Sequence, residues 1–158
     1  MTSSKKILIL GLGNTLLSDD GVGVHIVNRL HKRFADHQDI DCVEGGTLGL
    51  SLLPEMENTS GFIAVDAAQI DEEPGSVVTF ENEQMDAQLT GRKRTSHEVA
   101  LADLMDTALL MGTRPDKRAL IAIQPQTTSW GDAPTLLVAS AMALAEQQIL
   151  DLVERWQR

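Results

Sequence analysis

Four consecutive apolar residues, Ile7-Leu8-Ile9-Leu10, run directly into Gly11-Leu12-Gly13-Asn14. A run this short with no polar member fits a strand covered on both faces, the kind found in parallel sheets flanked by helices. The chain then alternates between strand-like and helix-like patterns. Val22, Ile26, Leu30 and Phe34 recur at every fourth position and predict an amphipathic helix. Ile40 to Val43 is a second strand and ends at Glu44-Gly45-Gly46-Thr47. Leu48 to Met56 reads as helical, with Pro54 its weak point. Gly61 to Val65 is a third strand, closed by Asp66.

Asp71 to Gly75 is a turn and Ser76 to Phe80 another strand. Glu81 to Lys93 reads as polar and irregular. Thr95 and Glu98 stand as N-cap and third helical residue of a capping box. That helix runs through Leu101, Leu104, Met105 and Ala108 and stops near Gly112. Leu120 to Ile123 is the last strand. The final helix follows Pro134, with Leu137, Met142, Leu144, Ile149, Leu152 and Val153 mostly inward. About five strands alternating mostly with helices predict an α/β fold, a mainly parallel twisted sheet with helices on both faces. At 158 residues, without internal repeats, the expectation is one domain over 1–158.

Composition narrows the function. Lys and Arg number 13 against 23 Asp and Glu, for a net charge of −10. Phosphate backbones demand a basic face, so nucleic acid is not an expected partner. Aromatics are 3% with no Tyr, which leaves little for base stacking. A single cysteine, Cys42, provides neither an internal disulfide nor a paired-cysteine zinc site. Leu136 to Ala145 is too short and too polar at Ser140 for a bilayer span. Lys5-Lys6 before the first apolar run faintly imitates a secretory leader, but Gly11, Gly13 and Asn14 break it without a cleavage pattern. The expectation is a cytoplasmic protein without a membrane partner, and a monomer because no spare apolar helix face stands out.

In such sheets ligands collect at the carboxyl ends of the strands. The polar residues expected there are Asn14, Asp19 and Asp20, then Glu44, Asp66, and His97 at a helix start. Asp20, Asp66 and His97 make a plausible ligand set for a divalent transition metal. The helix start should favour the neutral imidazole that a metal needs. Taken singly, each residue has an ordinary reading as a helix cap or surface group. Gly11-Leu12-Gly13-Asn14 lacks the third glycine of a dinucleotide fingerprint, since Leu16 stands there. Its glycines read as permitting a tight turn. His25, His31 and His37 are spaced by six and read as polar-face residues; Cys42 reads as inert core. No Gly-x-Ser-x-Gly elbow supports a serine hydrolase. Arg92-Lys93-Arg94, the one basic cluster, reads as a solvated loop or a contact for an acidic group.

The segment Gly11-Leu12-Gly13-Asn14-Thr15-Leu16-Leu17-Ser18-Asp19-Asp20-Gly21-Val22-Gly23-Val24 resembles the opening signature of the hydrogenase maturation endopeptidases. The resemblance continues in order through Glu44-Gly45-Gly46-Thr47, Val65-Asp66-Ala67, Ser96-His97-Glu98 and Ile123-Gln124-Pro125. These enzymes remove the C-terminal extension from the large-subunit precursor of nickel–iron hydrogenases. The resemblance implies that Asp20, Asp66 and His97 engage nickel already loaded into the precursor, as catalytic and metal-contacting residues together. The nickel then arrives with the substrate, and other divalent ions can occupy the site in isolation. Glu44 stands where the family often has Asp, keeping the carboxylate on a longer arm. Two alternatives remain. A peptidyl-tRNA hydrolase shares Gly-Leu-Gly-Asn, but Thr15-Leu16 replaces its Pro-Gly and Asp19-Asp20-Gly21-Val22 its later motif. A nickel-sensing chaperone that binds the precursor without cutting it would use the same side chains.

Overall fold

A computed structural model describes residues 6–45, 49–91 and 95–158. Five strands form one sheet: β1 (Ile7–Gly11), β2 (Ile40–Glu44), β3 (Gly61–Ala67), β4 (Val77–Glu81) and β5 (Lys117–Ile123), in the order β2-β1-β3-β5-β4. All neighbours pair in parallel except β4, which runs antiparallel to β5 at the edge. The helices are α1 (Val22–Arg33), α2 (Leu53–Met56), α3 (Glu83–Thr90), α4 (Ser96–Met111) and α5 (Leu136–Trp156).

The pleat divides the apolar run of β1 between two cores. Ile7 and Ile9 pack with Ile26, Leu30 and Ile149 beneath α1 and α5. Leu8 and Leu10 pack with Met56, Leu101 and Leu104 beneath the other helices. The same two-residue period in β3 sends Ile63 and Val65 to the first core and Phe62 and Ala64 to the second. Asp66 therefore belongs to the side on which α4 lies.

The chain leaves β1 through α1 on one face to reach β2. It returns through α2 on the other face to reach β3. The crossover direction reverses between the adjacent strands β1 and β3, which makes their carboxyl ends a topological switch point. There α1 approaches the sheet closely. A Cβ on Gly23 would lie 2.1 Å from the Val65 carbonyl oxygen, one residue before Asp66. Gly13, at φ 119°, could hold no Cβ either, because the Asp20 carbonyl oxygen is 1.9 Å from that position.

Several local expectations are corrected. The span read as irregular after Glu81 contains α3, whose Met85 and Leu89 are buried on one face; only two apolar side chains mark it, too few to stand out as a period. β5 starts at Lys117 rather than Leu120, because the strand takes in the charged Arg118 as a buried member. Its guanidinium is buried, with Nε 2.9 Å from Asp86 Oδ1 and Nη1 donating to the Pro115 and Asp116 carbonyls. Pro54 lies in the first turn of α2, where its missing N–H breaks no helical bond, and a 3-10 turn over Gly49–Leu52 precedes it.

In α5, Leu137 and Leu144 point outward, while Met142, Ile149, Leu152 and Val153 are buried. α5 is also long and apolar enough, by length and composition, to cross a bilayer, contrary to the sequence expectation. Ser140 and Glu146 interrupt the apolar run but not the helix, and Glu146 pairs with Arg29 of α1 at 2.8 Å. Gly46, Thr47, Leu48 and the Arg92-Lys93-Arg94 cluster lie outside the described residues.

Gly23→Ala should lose at least ~2 kcal/mol in urea unfolding, since a backbone oxygen cannot yield as a flexible side chain would. Gly112→Ala, at φ 74° in open space, should lose only about 1 kcal/mol from backbone strain. A Gly23→Ala protein as stable as wild type would contradict the close packing of α1 on β3.

Candidate functional site

Asp20 lies in the 3-10 turn Ser18–Gly21 that follows β1. Asp66 is the penultimate residue of β3, and His97 the second residue of α4. Thr95 caps α4, as its position predicts, by accepting the Glu98 N–H at 3.4 Å. The imidazole inserts between the two acids: Nε2 lies 2.9 Å from Asp20 Oδ1 and Nδ1 lies 3.1 Å from Asp66 Oδ2. The Thr95 hydroxyl is 3.2 Å from the same Nδ1. The Asn14 N–H donates to Asp20 Oδ2 at 2.9 Å. All three side chains are buried, with 6%, 1% and 9% of Asp20, Asp66 and His97 exposed. The structure thus brings Asp20, Asp66 and His97 together at the switch point.

The charge state of His97 differs from the sequence expectation. A carboxylate only accepts hydrogen bonds, so an imidazole between two of them needs an N–H on both sides. Burial alone would lower the His97 pKa, but the hydrogen bonds and charges of Asp20 and Asp66 outweigh it and raise the pKa. The helix start, expected to favour neutral imidazole, is the weaker influence. Burial pushes the Asp66 carboxyl up, against the pull of His97. Asp20 is also opposed by burial, yet His97 and the Asn14 N–H hold it below its ordinary value.

Asp66 Oδ1 is buried and has no hydrogen-bond partner among the described residues. Such an oxygen retains its lone pairs for a proton or a cation. Two carboxylates and an imidazole also match a divalent transition metal as a donor set. As they stand they form a hydrogen-bonded chain: among the described residues no three His, Cys, Asp or Glu side chains surround a common ion position. Ligation therefore requires His97 to give up a proton and one carboxylate contact. Asp66 also lines a cleft of ≈ 210 Å³ with Gln69, Asp71, Gln88 and Glu98, between α3 and the start of α4.

The other candidates lie apart from this cluster. Glu44 is exposed at the end of β2, with no ion pair to the three among the described residues. His31 and His37 are exposed. His25 is half-buried, not a fully solvated polar-face residue, and its buried Nε2 has no partner among the described residues. Cys42 is half-buried, and burial and then Asp41 push its thiol up to about 11, which keeps it unreactive.

Two residues matter more than their sequence signals suggested. Asp19 is fully buried and accepts the N–H groups of Gln126, Thr127 and Thr135 at 2.8, 3.1 and 2.7 Å. Gln124 Oε1 accepts the Ile70 N–H at 2.9 Å and holds the 68–72 segment at the rim. Their partners lie 54 or more residues away, so no local pattern announces them. Asp19→Ala would strand three backbone donors and should cost about 3 kcal/mol or more. Hydrogen exchange at Thr127 and Thr135 should accelerate with it, and unchanged protection would contradict the clamp.

Folding raises the proton affinity of His97 and Asp66 and lowers that of Asp20. The His97 contribution is complete below the unfolded value, ~6.5, and is lost as pH rises through the raised folded value. Asp66 acts in the same direction, since deprotonating it above the ordinary carboxylate range weakens the fold. Asp20 acts oppositely, its contribution fading only as pH falls through its lowered value. Urea unfolding from about pH 6.5 to about 9.5 should show stability declining, and His97→Gln should flatten that slope. An equal slope in the variant would contradict an imidazolium between the two acids.

A family model described as hydrogenase maturation protease matches residues 24–152. The hydrogenase expression/formation protein HupD of Rhodobacter capsulatus is 31% identical over 96% of this chain and 73% of its own. The hydrogenase 2 maturation protease of Escherichia coli K12 is 32% identical over 92% of this chain and 88% of its own. Among solved structures, the hydrogenase maturating endopeptidase HybD of E. coli superposes with a TM-score of 0.88 at 30% identity, covering 95% of this chain and 93% of that one.

Proposed function

The chain belongs to the hydrogenase maturation protease family, and on that premise we propose what it cuts and how. Its substrate is the nickel-loaded large-subunit precursor of a nickel–iron hydrogenase, from which it removes the C-terminal extension. Asp20, Asp66 and His97 engage the precursor's nickel and so test whether loading is complete. The observation that carries this reading is the convergence of these three buried side chains at the switch point, one carboxylate oxygen without a partner among the described residues.

The electrostatics support it. In the free enzyme the positive charge between the two carboxylates is the imidazolium proton. A divalent cation brought by the substrate would take over that role and release the proton. His97 Nε2 and Asp20 Oδ1 would part, and both would face the ion. Asp66, whose pKa burial raises, is suited to take a proton from a water attacking the peptide carbonyl. The nickel, as a Lewis acid, would lower the pKa of a water it holds. The cleft beside Asp66 gives an extended tail somewhere to lie. With this reading goes a cytoplasmic, monomeric enzyme that holds no resident metal and contacts neither nucleic acid nor membrane. The net charge of −10 supports the exclusion of nucleic acid.

Incubation with nickel-loaded precursor should yield a large subunit shortened at its C-terminus, read by mass spectrometry, while nickel-free precursor should stay intact. An intact, stable complex would favour the chaperone. Asp20→Asn, Asp66→Asn and His97→Ala should each slow processing by roughly a hundredfold or more. His25→Ala and His31→Ala should process at near the wild-type rate. The three site positions are buried, so each variant needs a circular dichroism check. Rapid processing by a folded His97→Ala protein would remove His97 from the mechanism.

A further inference from the structure

Trp130 is 82% exposed, Leu136 87% and Leu16 56%, yet the backbone beneath them is firmly tied. Asp19 clamps both sides of the 126–135 segment through Gln126, Thr127 and Thr135. The Ser18 hydroxyl donates to the Ser129 carbonyl at 2.7 Å. The Gly131 N–H donates to the Leu16 carbonyl at 3.0 Å and Ser18 N–H to the Gly131 carbonyl at 2.9 Å, so the two segments pair as a short bridge. An aromatic presented to water from a fixed backbone forgoes burial, and exposed aromatics on a preorganised backbone are what protein interfaces use as anchors.

This surface is continuous with the site. The Leu16 N–H donates to Asn14 Oδ1, and the Asn14 N–H holds Asp20. The surroundings are acidic. No Lys or Arg occurs in residues 7–28, 34–91 or 119–154, which include the strand-end segments 12–21, 68–76 and 124–135. Asp132 follows Trp130 by two residues, and Glu72 and Glu73 lie in the loop whose Gly75 packs against Leu137. Two such faces brought together would set acid against acid, which disfavours a second copy of this chain as the occupant. The complement is an apolar recess bordered by Lys or Arg.

Resting on the function proposed above, we propose that Leu16, Trp130 and Leu136 are the contact on which the folded body of the precursor docks, by an apolar recess flanked with basic side chains. The contact sets the precursor's position while the site receives the metal and the tail.

The test uses nickel-loaded precursor with wild type, Trp130→Ser/Leu136→Ser, and Glu72→Gln/Glu73→Gln. The apolar double variant should raise KM, and the Kd measured by calorimetry, about tenfold or more at unchanged kcat. The acid double variant should weaken the salt dependence of kcat/KM. KM and Kd equal to wild type in a folded apolar variant would overturn the proposal. So would a wild-type dimer in sedimentation that the variant abolishes with KM unchanged, since the patch would then join two copies. If wild type binds the precursor but does not cut it, the processing reading fails, and the calorimetric comparison still decides the docking surface. If wild type does not bind the precursor, both fail.

Discussion

Parallel pairing of β1 with β2 and β3, and of β3 with β5, puts the carboxyl ends of four strands on one edge of the sheet. The site depends on this constraint. Asp20 follows β1 and Asp66 ends β3, so the two acids become neighbours although 45 residues lie between them in sequence. The crossover direction reverses between these strands, and α4 brings His97, in its first turn, to their carboxyl ends. Gly23 lets α1 approach the backbone just before Asp66 on the opposite face of the sheet.

At those strand ends the charge arrangement is a compromise. Burying two carboxylates is costly unless a positive group accompanies them. His97 supplies that group with a proton rather than a fixed cation, so the neutralising charge can be exchanged. An arginine could have balanced the acids but would not vacate its charge in favour of an incoming ion. The Asp66 oxygen that has no partner among the described residues is the part of the balance left incomplete.

The elements that were legible in sequence carried dense local signals. β1 showed four apolar residues in a row, α1 a four-residue repeat, and α4 both a capping box and a closing glycine whose φ is 74°. α3 was not legible, because two buried residues do not make a period. The start of β5 was hidden by Arg118, whose charge is matched by Asp86 from a distant helix. The three site residues stood out because strand ends and a helix start are where polar side chains are least needed for the core. The protonation of His97 was not legible, since the helix start is visible in sequence and the two facing acids are not. Asp19 was hidden in the same way: its identity was plain, but its partners belong to a loop over a hundred residues later.

Asp19 and Asp20 are adjacent and chemically alike, yet one faces inward to the loop and the other to His97. Ser18, at φ 50°, sets the turn from which they diverge. The spacing of this turn therefore has no slack. Losing or gaining one residue between Gly13 and Ser18 would offer each carboxylate to the other's partners. The 126–135 loop would come loose and the imidazole would lose its companion in the same event. The turn at 35–39, which joins α1 to β2 far from any of these groups, has no such coupling. Over evolutionary time, length changes in this fold should accumulate there and be purged between Gly13 and Asp20.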